Sequence, residues 1–138
     1  MDTLTEVAGL PESELLDAID EALGAGLVQE RQARGGATFA FSHSLFREAI
    51  YRELSAPRRI QLHLRTAVVL ESRYAEGRTE HGAELAEHFA HSSSRDDLSK
   101  ALHYSLLAAR HAMTVYAHGE AARLLEQAIE IHEVLSPA

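Results

Sequence analysis

The chain has 138 residues, of which 46% are hydrophobic, and this length suits one domain or two very small ones. It contains no cysteine, which excludes a disulfide scaffold, a thiolate nucleophile and any metal site with cysteine ligands. The net charge of −8 argues against non-specific binding of nucleic acid over the whole surface. Aromatic residues make up only 6% and alanine and leucine are abundant, which favours closely packed helices.

The sequence also bears on location. No apolar run approaches the roughly 20 residues that a membrane-spanning helix needs, so we expect no membrane partner. The first residues are acidic and lack the basic region of a secretory signal. The absence of cysteine fits a reducing compartment. These features predict a cytoplasmic protein.

The first third of the chain predicts two helices followed by a β-hairpin. Residues 2–8 form a short helical pattern, and residues 11–26 form an amphipathic one with a proline in its first turn. Two apolar segments then flank a Gly-Gly pair, so residues 27–41 predict two strands joined by a tight turn. Helices followed by a hairpin of this kind are typical of the back half of a winged helix.

Five further helices follow the hairpin. Ser42 is the expected N-cap of a helix that reaches Leu54, and a second helix opens at residues 55–57 and runs to about residue 75. A shorter helix covers residues 80–90. The helical patterns over 98–116 and 119–135 are separated by a tight link, which predicts an antiparallel helical hairpin. The small residues that let its backbones approach are Ala101, Ala108, Ala109, Ala112, Ala121 and Ala128.

The last helical pair carries small residues at Ala109, Ala121 and Ala128 and a large one at Leu125. These positions match the small and large positions of a tetratricopeptide (TPR) repeat, and the stretch HGEAARLLEQAIEI resembles the second helix of that motif. The chain departs from the motif at Ala112, where an aromatic residue is usual, and at Pro137, which lies later than the terminal proline of the motif.

The middle of the chain carries four short motifs in succession: Phe-x-Phe-x-His, Arg-Glu-Ala-x-Tyr, Leu-Ser-x-x-Arg-Arg and Leu-His. The residues that form them are Phe39, Phe41, His43, Arg47, Glu48, Ala49, Tyr51, Leu54, Ser55, Arg58, Arg59, Leu62 and His63. This pattern resembles the junction between the winged helix and the TPR-like helices of STAND-type bacterial regulators, such as MalT-like and LuxR-type activators and ATPase-linked adenylate cyclases, and the similarity covers nearly the whole chain.

The resemblance implies a mainly α fold, with a partial winged helix that contains a two-stranded β-hairpin over residues 1–54 and TPR-like antiparallel helical hairpins over 55–138. It implies a non-catalytic module that couples a nucleotide switch to a helical sensor or protein-interaction array. The chain has no Gly-x-x-x-x-Gly-Lys-Ser/Thr loop, so ATP or ADP would bind elsewhere in the parent protein and no cofactor is expected here. The expected partners are other domains of the parent ATPase and a protein or small-molecule inducer.

His43 and Arg47 are the candidate nucleotide-sensing residues. In STAND ATPases a winged-helix histidine can contact the β-phosphate of bound ADP, and the start of a helix favours an anion. The alternative is that His43 caps or packs the junction between hairpin and helix, and that Arg47 forms a structural ion pair. Tyr51 is expected to be a core residue.

A second candidate site is an anion-binding or interaction patch formed by Arg52, Arg58, Arg59 and Arg65, which could instead be a solvated surface. His81, Glu84, His88 and His91 have helical spacings of three, four and three, which a metal such as zinc could use, but histidines on the surface of an amphipathic helix explain the spacing better, so we expect no metal ligands. No combination of nucleophile, base and orienting group is recognisable, so we expect no catalytic residues.

One alternative function and one expectation about assembly remain from the sequence. The chain could be the winged-helix DNA-binding domain of a transcription factor, but the helix before the wing is acidic and would be repelled by phosphates. A winged helix without its first helix would expose Leu15, Ile19 or Leu23, so a homodimer or an exchange of elements between copies is a further expectation.

Overall fold

The computed structural model describes residues 2–34, 36–74 and 79–136. The protein is mainly helical and carries one two-stranded antiparallel β-hairpin in this part of the chain, which confirms the predicted fold class. The chain divides into two compact units, here called unit 1 (Met1–Arg59) and unit 2 (Ile60–Ala138). The predicted domain boundary between residues 54 and 55 stays a prediction.

Unit 1 begins with two helices and the hairpin. Helices α1 (Asp2–Ala8) and α2 (Glu12–Gly24) precede strands β1 (Val28–Ala33) and β2 (Gly36–Phe41). The strands pair from Val28 opposite Phe41 to Ala33 opposite Gly36, so the predicted hairpin is confirmed. Gly36 has a φ of 129°, a conformation that glycine adopts without steric cost, whereas Gly35 lies outside the described residues.

Two expectations for unit 1 are wrong in detail. Leu15 is only 5% exposed, because it faces the space between α1, α2 and the hairpin rather than an open surface. The N-cap of α3 (Ser44–Glu53) is His43 rather than Ser42: the helix starts one residue later than the Ser42 cap requires, and the His43 ring accepts a hydrogen bond from the Leu45 amide.

Unit 2 is built from four helices. Helix α4 (Ala56–Arg73) begins in unit 1, where the hydroxyl of Ser55 accepts a hydrogen bond from the Arg58 amide at 3.3 Å. The remaining helices are α5 (Gly82–Phe89), α6 (Arg95–Thr114) and α7 (His118–Leu135).

Helix α6 starts three residues before the predicted Leu98. The Ser92 hydroxyl donates to the Asp97 carboxylate at 2.9 Å and accepts from the Ser94 amide at 2.9 Å, which orders the turn before the helix. Asp97 therefore stabilises this turn from within the first turn of α6.

Helices α6 and α7 are antiparallel, as predicted, because the start of α6 lies beside the end of α7. The Arg95 guanidinium donates to the Leu135 carbonyl at 2.8 Å, and Ser105 donates to Gln127 at 3.3 Å near the middle of the pair. All six alanines predicted for the close approach are buried.

The core of unit 2 lies where α4, α5 and α6 meet, and α7 closes it. Phe89 and Leu85 are fully buried there. The Glu71 carboxylate, on α4, accepts hydrogen bonds from the Tyr104 hydroxyl at 2.6 Å and from the Lys100 ammonium at 2.9 Å. This charge-assisted pair of bonds ties α4 to α6 at the edge of the core.

Gly82 marks the closest approach between α5 and α6. A Cβ atom at this position would lie 3.1 Å from the Tyr104 carbonyl oxygen and 3.3 Å from the Ala108 Cβ, whereas one at Gly119 would meet nothing within 4 Å. We expect Gly82→Ala to lower the free energy of unfolding by about 1 kcal/mol or more, because the helices must separate. Gly119→Ala should raise it by about 0.4–1 kcal/mol. Urea unfolding followed by circular dichroism measures both, and equal effects would contradict the prediction.

Across residues 2–34, 36–74 and 79–136, no helix combines the length and the apolarity needed to cross a membrane.

Candidate functional site

Three histidines from different parts of unit 2 come together beside α5; we call them the histidine cluster (His63, His88 and His91). His63 comes from α4, His88 from α5 and His91 from the turn after α5. The Nδ1 atoms of His63 and His88 lie 2.9 Å apart, and the rings of His63 and His91 stack with centroids 3.7 Å apart and an interplanar angle of 7°. The cluster therefore joins α4 to the end of α5.

The contact between the two Nδ1 atoms constrains the protonation of the cluster. One Nδ1 must donate and the other must accept, so both rings cannot carry a proton on that atom. Burial, helped by His91 and His88, lowers the pKa of His63 from 6.5 to about 4, although Glu87 opposes the shift. Burial also lowers the pKa of His88, against the opposing pull of Glu84 and Glu87. The His63 ring is therefore uncharged at neutral pH.

The histidine-rich stretch does not converge on a metal site. His81 stacks on Tyr74 with ring centroids 3.8 Å apart, and its Nδ1 lies 4.0 Å from the Glu84 carboxylate. His88 and His91 face His63 instead. In the part of the chain that the structure describes, no group of three or more histidine or carboxylate side chains has the arrangement of a metal site.

The contact between His63 and His88 could not be predicted from local spacing, because the two residues are 25 positions apart in the sequence. The one sequence signal at His63 is its place in the Leu-His pair of the family pattern, which does not indicate a role for the imidazole.

An open apolar groove runs along one face of the α6–α7 hairpin; we call it the outer groove. It has a volume of about 450 Å³. Leu125 and Ile129, on α7, remain 44% and 58% exposed, and Leu106, on α6, is 36% exposed. The lining is Leu102, Leu106, Leu125, Ala128, Ile129 and His132.

The rim of the outer groove on α7 is acidic. Glu126, Glu130 and Glu133 are exposed and, by helical spacing, follow the groove residues around the helix. An amphipathic helix that places apolar side chains at intervals of three and four residues fits such a groove. Basic side chains along one flank of that helix would meet the glutamates.

His43 occupies the junction between hairpin and helix, as expected, and it acts there as a helix cap. Its Nδ1 accepts a hydrogen bond from the Leu45 amide at 3.2 Å, and its ring meets the Phe46 ring edge-on at 6.0 Å. Arg47 lies exposed in the first turn of α3. A contact of either residue with a nucleotide stays a prediction.

The predicted arginine patch is distributed over both units. Arg52 and Arg58 are exposed in unit 1, and the Arg59 guanidinium lies 5.3 Å above the centre of the Tyr51 ring. Tyr51 is 41% exposed, so its expected place in the core is wrong: it serves as a platform for the arginine. Arg65 belongs to unit 2 and is half-buried on α4.

No family model, curated protein or solved structure matches this chain. The described side chains offer three chemical features. The outer groove can bind apolar groups, the histidine cluster can take up protons, and the junction at His43 presents an imidazole at the start of a helix.

Proposed function

We propose that this chain is a non-catalytic regulatory and interaction module of a STAND-type signalling ATPase or transcriptional regulator, acting in the cytoplasm. In this role it couples a nucleotide switch to a helical sensor array. The residues of the family pattern support the proposal: they follow one another along β2, α3 and α4, in the order of wing, helix and helical array.

The observation that carries the proposal is the outer groove. Leu106, Leu125 and Ile129 keep between about a third and three fifths of their surface in water. When a partner buries apolar surface, binding is stabilised by roughly 25 cal/mol for each Å² removed from water. An exposed apolar groove on a packed helical pair is typical of a surface that binds another protein or an apolar ligand.

The partners follow from this role. In the proposed parent protein the ATPase core binds ATP or ADP and contacts unit 1 through His43 and Arg47. A protein or small-molecule inducer, or a neighbouring helical repeat, occupies the outer groove. A first check is the coding sequence upstream of Met1, where a Gly-x-x-x-x-Gly-Lys-Ser/Thr loop is expected and where an unrelated domain would contradict the proposal.

The outer groove can be tested in the whole gene product. The double substitution of Leu125→Glu and Ile129→Glu places two carboxylates in the groove while leaving the buried face of α7 unchanged. We expect stimulation of ATP hydrolysis by the inducer to fall at least about 10-fold, because a charge in an apolar contact loses its hydration.

Val134→Glu is the matched control for this experiment. Val134 is 64% exposed and, by helical spacing, lies on the side of α7 opposite Leu125. It should leave stimulation unchanged. Equal stimulation in the groove variant and the control, with intact folding by circular dichroism, would show that the groove has no part in signalling.

If His43 contacts the nucleotide, replacing it should weaken the binding of ADP. Losing a hydrogen bond to a charged phosphate costs about 1.5–3 kcal/mol, so His43→Ala in the whole protein should weaken ADP binding about 10-fold or more. His43→Asn separates this role from capping, because asparagine also caps helices well. Calorimetric titration with ADP measures both variants. Normal affinity in both would leave His43 with its capping role alone.

A further inference from the structure

Helix α3 is an amphipathic helix whose apolar face is uncovered. None of its residues is buried, and Leu45, Phe46 and Ile50 are 63%, 41% and 40% exposed. By helical spacing, Arg47 and Arg52 flank this face on its two sides. A short helix gains most of its stability from packing an apolar face, so α3 in this form lacks its main source of stability.

The same unit contains an unfilled apolar hollow, here called the α2 hollow. It has a volume of about 350 Å³ and lies between α1, α2 and the hairpin. Ala18 and Ile19 form its helical wall. The full lining is Leu4, Leu15, Ala18, Ile19, Ala22, Val28, Phe39, Ala40 and Phe41.

The charges of the two surfaces are complementary. Residues 1–30 carry eight acidic side chains and no lysine or arginine, whereas residues 42–59 carry four arginines against two glutamates. On α2, Glu14 and Glu21 lie four residues before and three residues after Ala18, so both are its neighbours on the helix surface. The acidic flank of the α2 hollow therefore suits the arginines beside the apolar face of α3.

We propose that unit 1 forms a homodimer in which α3 of each copy lies in the α2 hollow of the other. Both complementary surfaces belong to one unit, so a two-fold axis between two copies allows the same contact to be made twice. The hollow is not filled by α3 of the same copy, which keeps its apolar face in water although the two belong to the same unit. This inference does not depend on the proposed function.

The oligomeric state of the complete chain tests the proposal. Sedimentation velocity over a concentration series should show twice the mass of 15.2 kDa at high concentration, with dissociation on dilution. Leu45→Glu on α3 and Ala18→Glu in the hollow should each weaken association at least about 10-fold. Both positions are exposed in the single chain, so neither change disturbs a buried core. Val134→Glu on α7 is the control and should leave the dimer intact.

Mixing the two variants tests the reciprocal geometry. The Leu45→Glu chain keeps an intact hollow and the Ala18→Glu chain keeps an intact α3, so together they retain one of the two contacts. We expect the mixture to form a heterodimer under conditions where each variant alone is monomeric.

Three results would overturn the proposal. The first is a wild-type chain that stays monomeric at every concentration. Packing of α3 into the hollow of its own copy would give this result. The second is a dimer that neither substitution weakens, and the third is a mixture of the variants that remains monomeric.

Discussion

Replacing Phe89 with alanine should lower the free energy of unfolding of unit 2 by about 3–5 kcal/mol. Phe89 ends α5 and is fully buried, with its ring nearly parallel to that of Tyr104 at a centroid distance of 6.1 Å. The Lys100 ammonium lies 5.2 Å from the centre of the same ring. Alanine would leave a cavity below α6 and would remove the aromatic and cation–π contacts together.

Urea unfolding followed by far-ultraviolet circular dichroism measures the effect of Phe89→Ala, since the chain has no tryptophan. Val134→Ala provides the control: this side chain is 64% exposed, so its loss should change the free energy of unfolding by no more than about 0.5 kcal/mol. A loss below about 1 kcal/mol for Phe89→Ala would mean that Phe89 is not central to the core.

Unit 2 should lose about 1–2 kcal/mol of stability as the pH falls from 6.5 to 4, because of the histidine cluster. The pKa of His63 is about 4 in the folded chain and 6.5 when unfolded, so the unfolded chain binds more protons between these values. The contribution of His63 is therefore complete above pH 6.5 and is lost as the pH falls towards 4. Solvent screening of this half-buried ring reduces the effect below the full value of the shift.

His63→Gln removes the titrating ring that faces His88, so the slope of stability against pH between 4 and 6.5 should fall by at least about half. His103→Gln changes an exposed histidine on α6 and should leave the slope as in the wild type. Thermal unfolding at half-unit steps of pH provides the measurement. Equal slopes in all three proteins would exclude the cluster as the cause.

Elements with strong local signals could be predicted from the sequence. The Gly-Gly pair between apolar segments placed the hairpin correctly, and the spacing of small residues placed the α6–α7 pair, in which Ala101 and Ala121 are fully or almost fully buried. The start of α6 could not be predicted, because the Ser92 hydroxyl, and not a cap on the helix itself, orders the preceding turn.

The candidate sites were less predictable because they depend on contacts between distant residues. The periodicity of α3 shows that one face is apolar, but it does not show whether another element covers it. The hydrogen bond between His63 and His88 joins two helices and leaves no local pattern. The sequence indicates two alternative roles for His43, as a helix cap and as a nucleotide contact. In the structure its ring caps α3, and the contact with a nucleotide stays a prediction.

The hydrogen bond from Arg95 to the Leu135 carbonyl connects the start of α6 to the end of α7. The link at residues 115–117 joins the two helices at one end, and the guanidinium joins them at the other, where α7 would otherwise leave its last carbonyls open. Unwinding of either helix end would break this bond, so we expect the first turn of α6 and the last turn of α7 to open together, as one cooperative event.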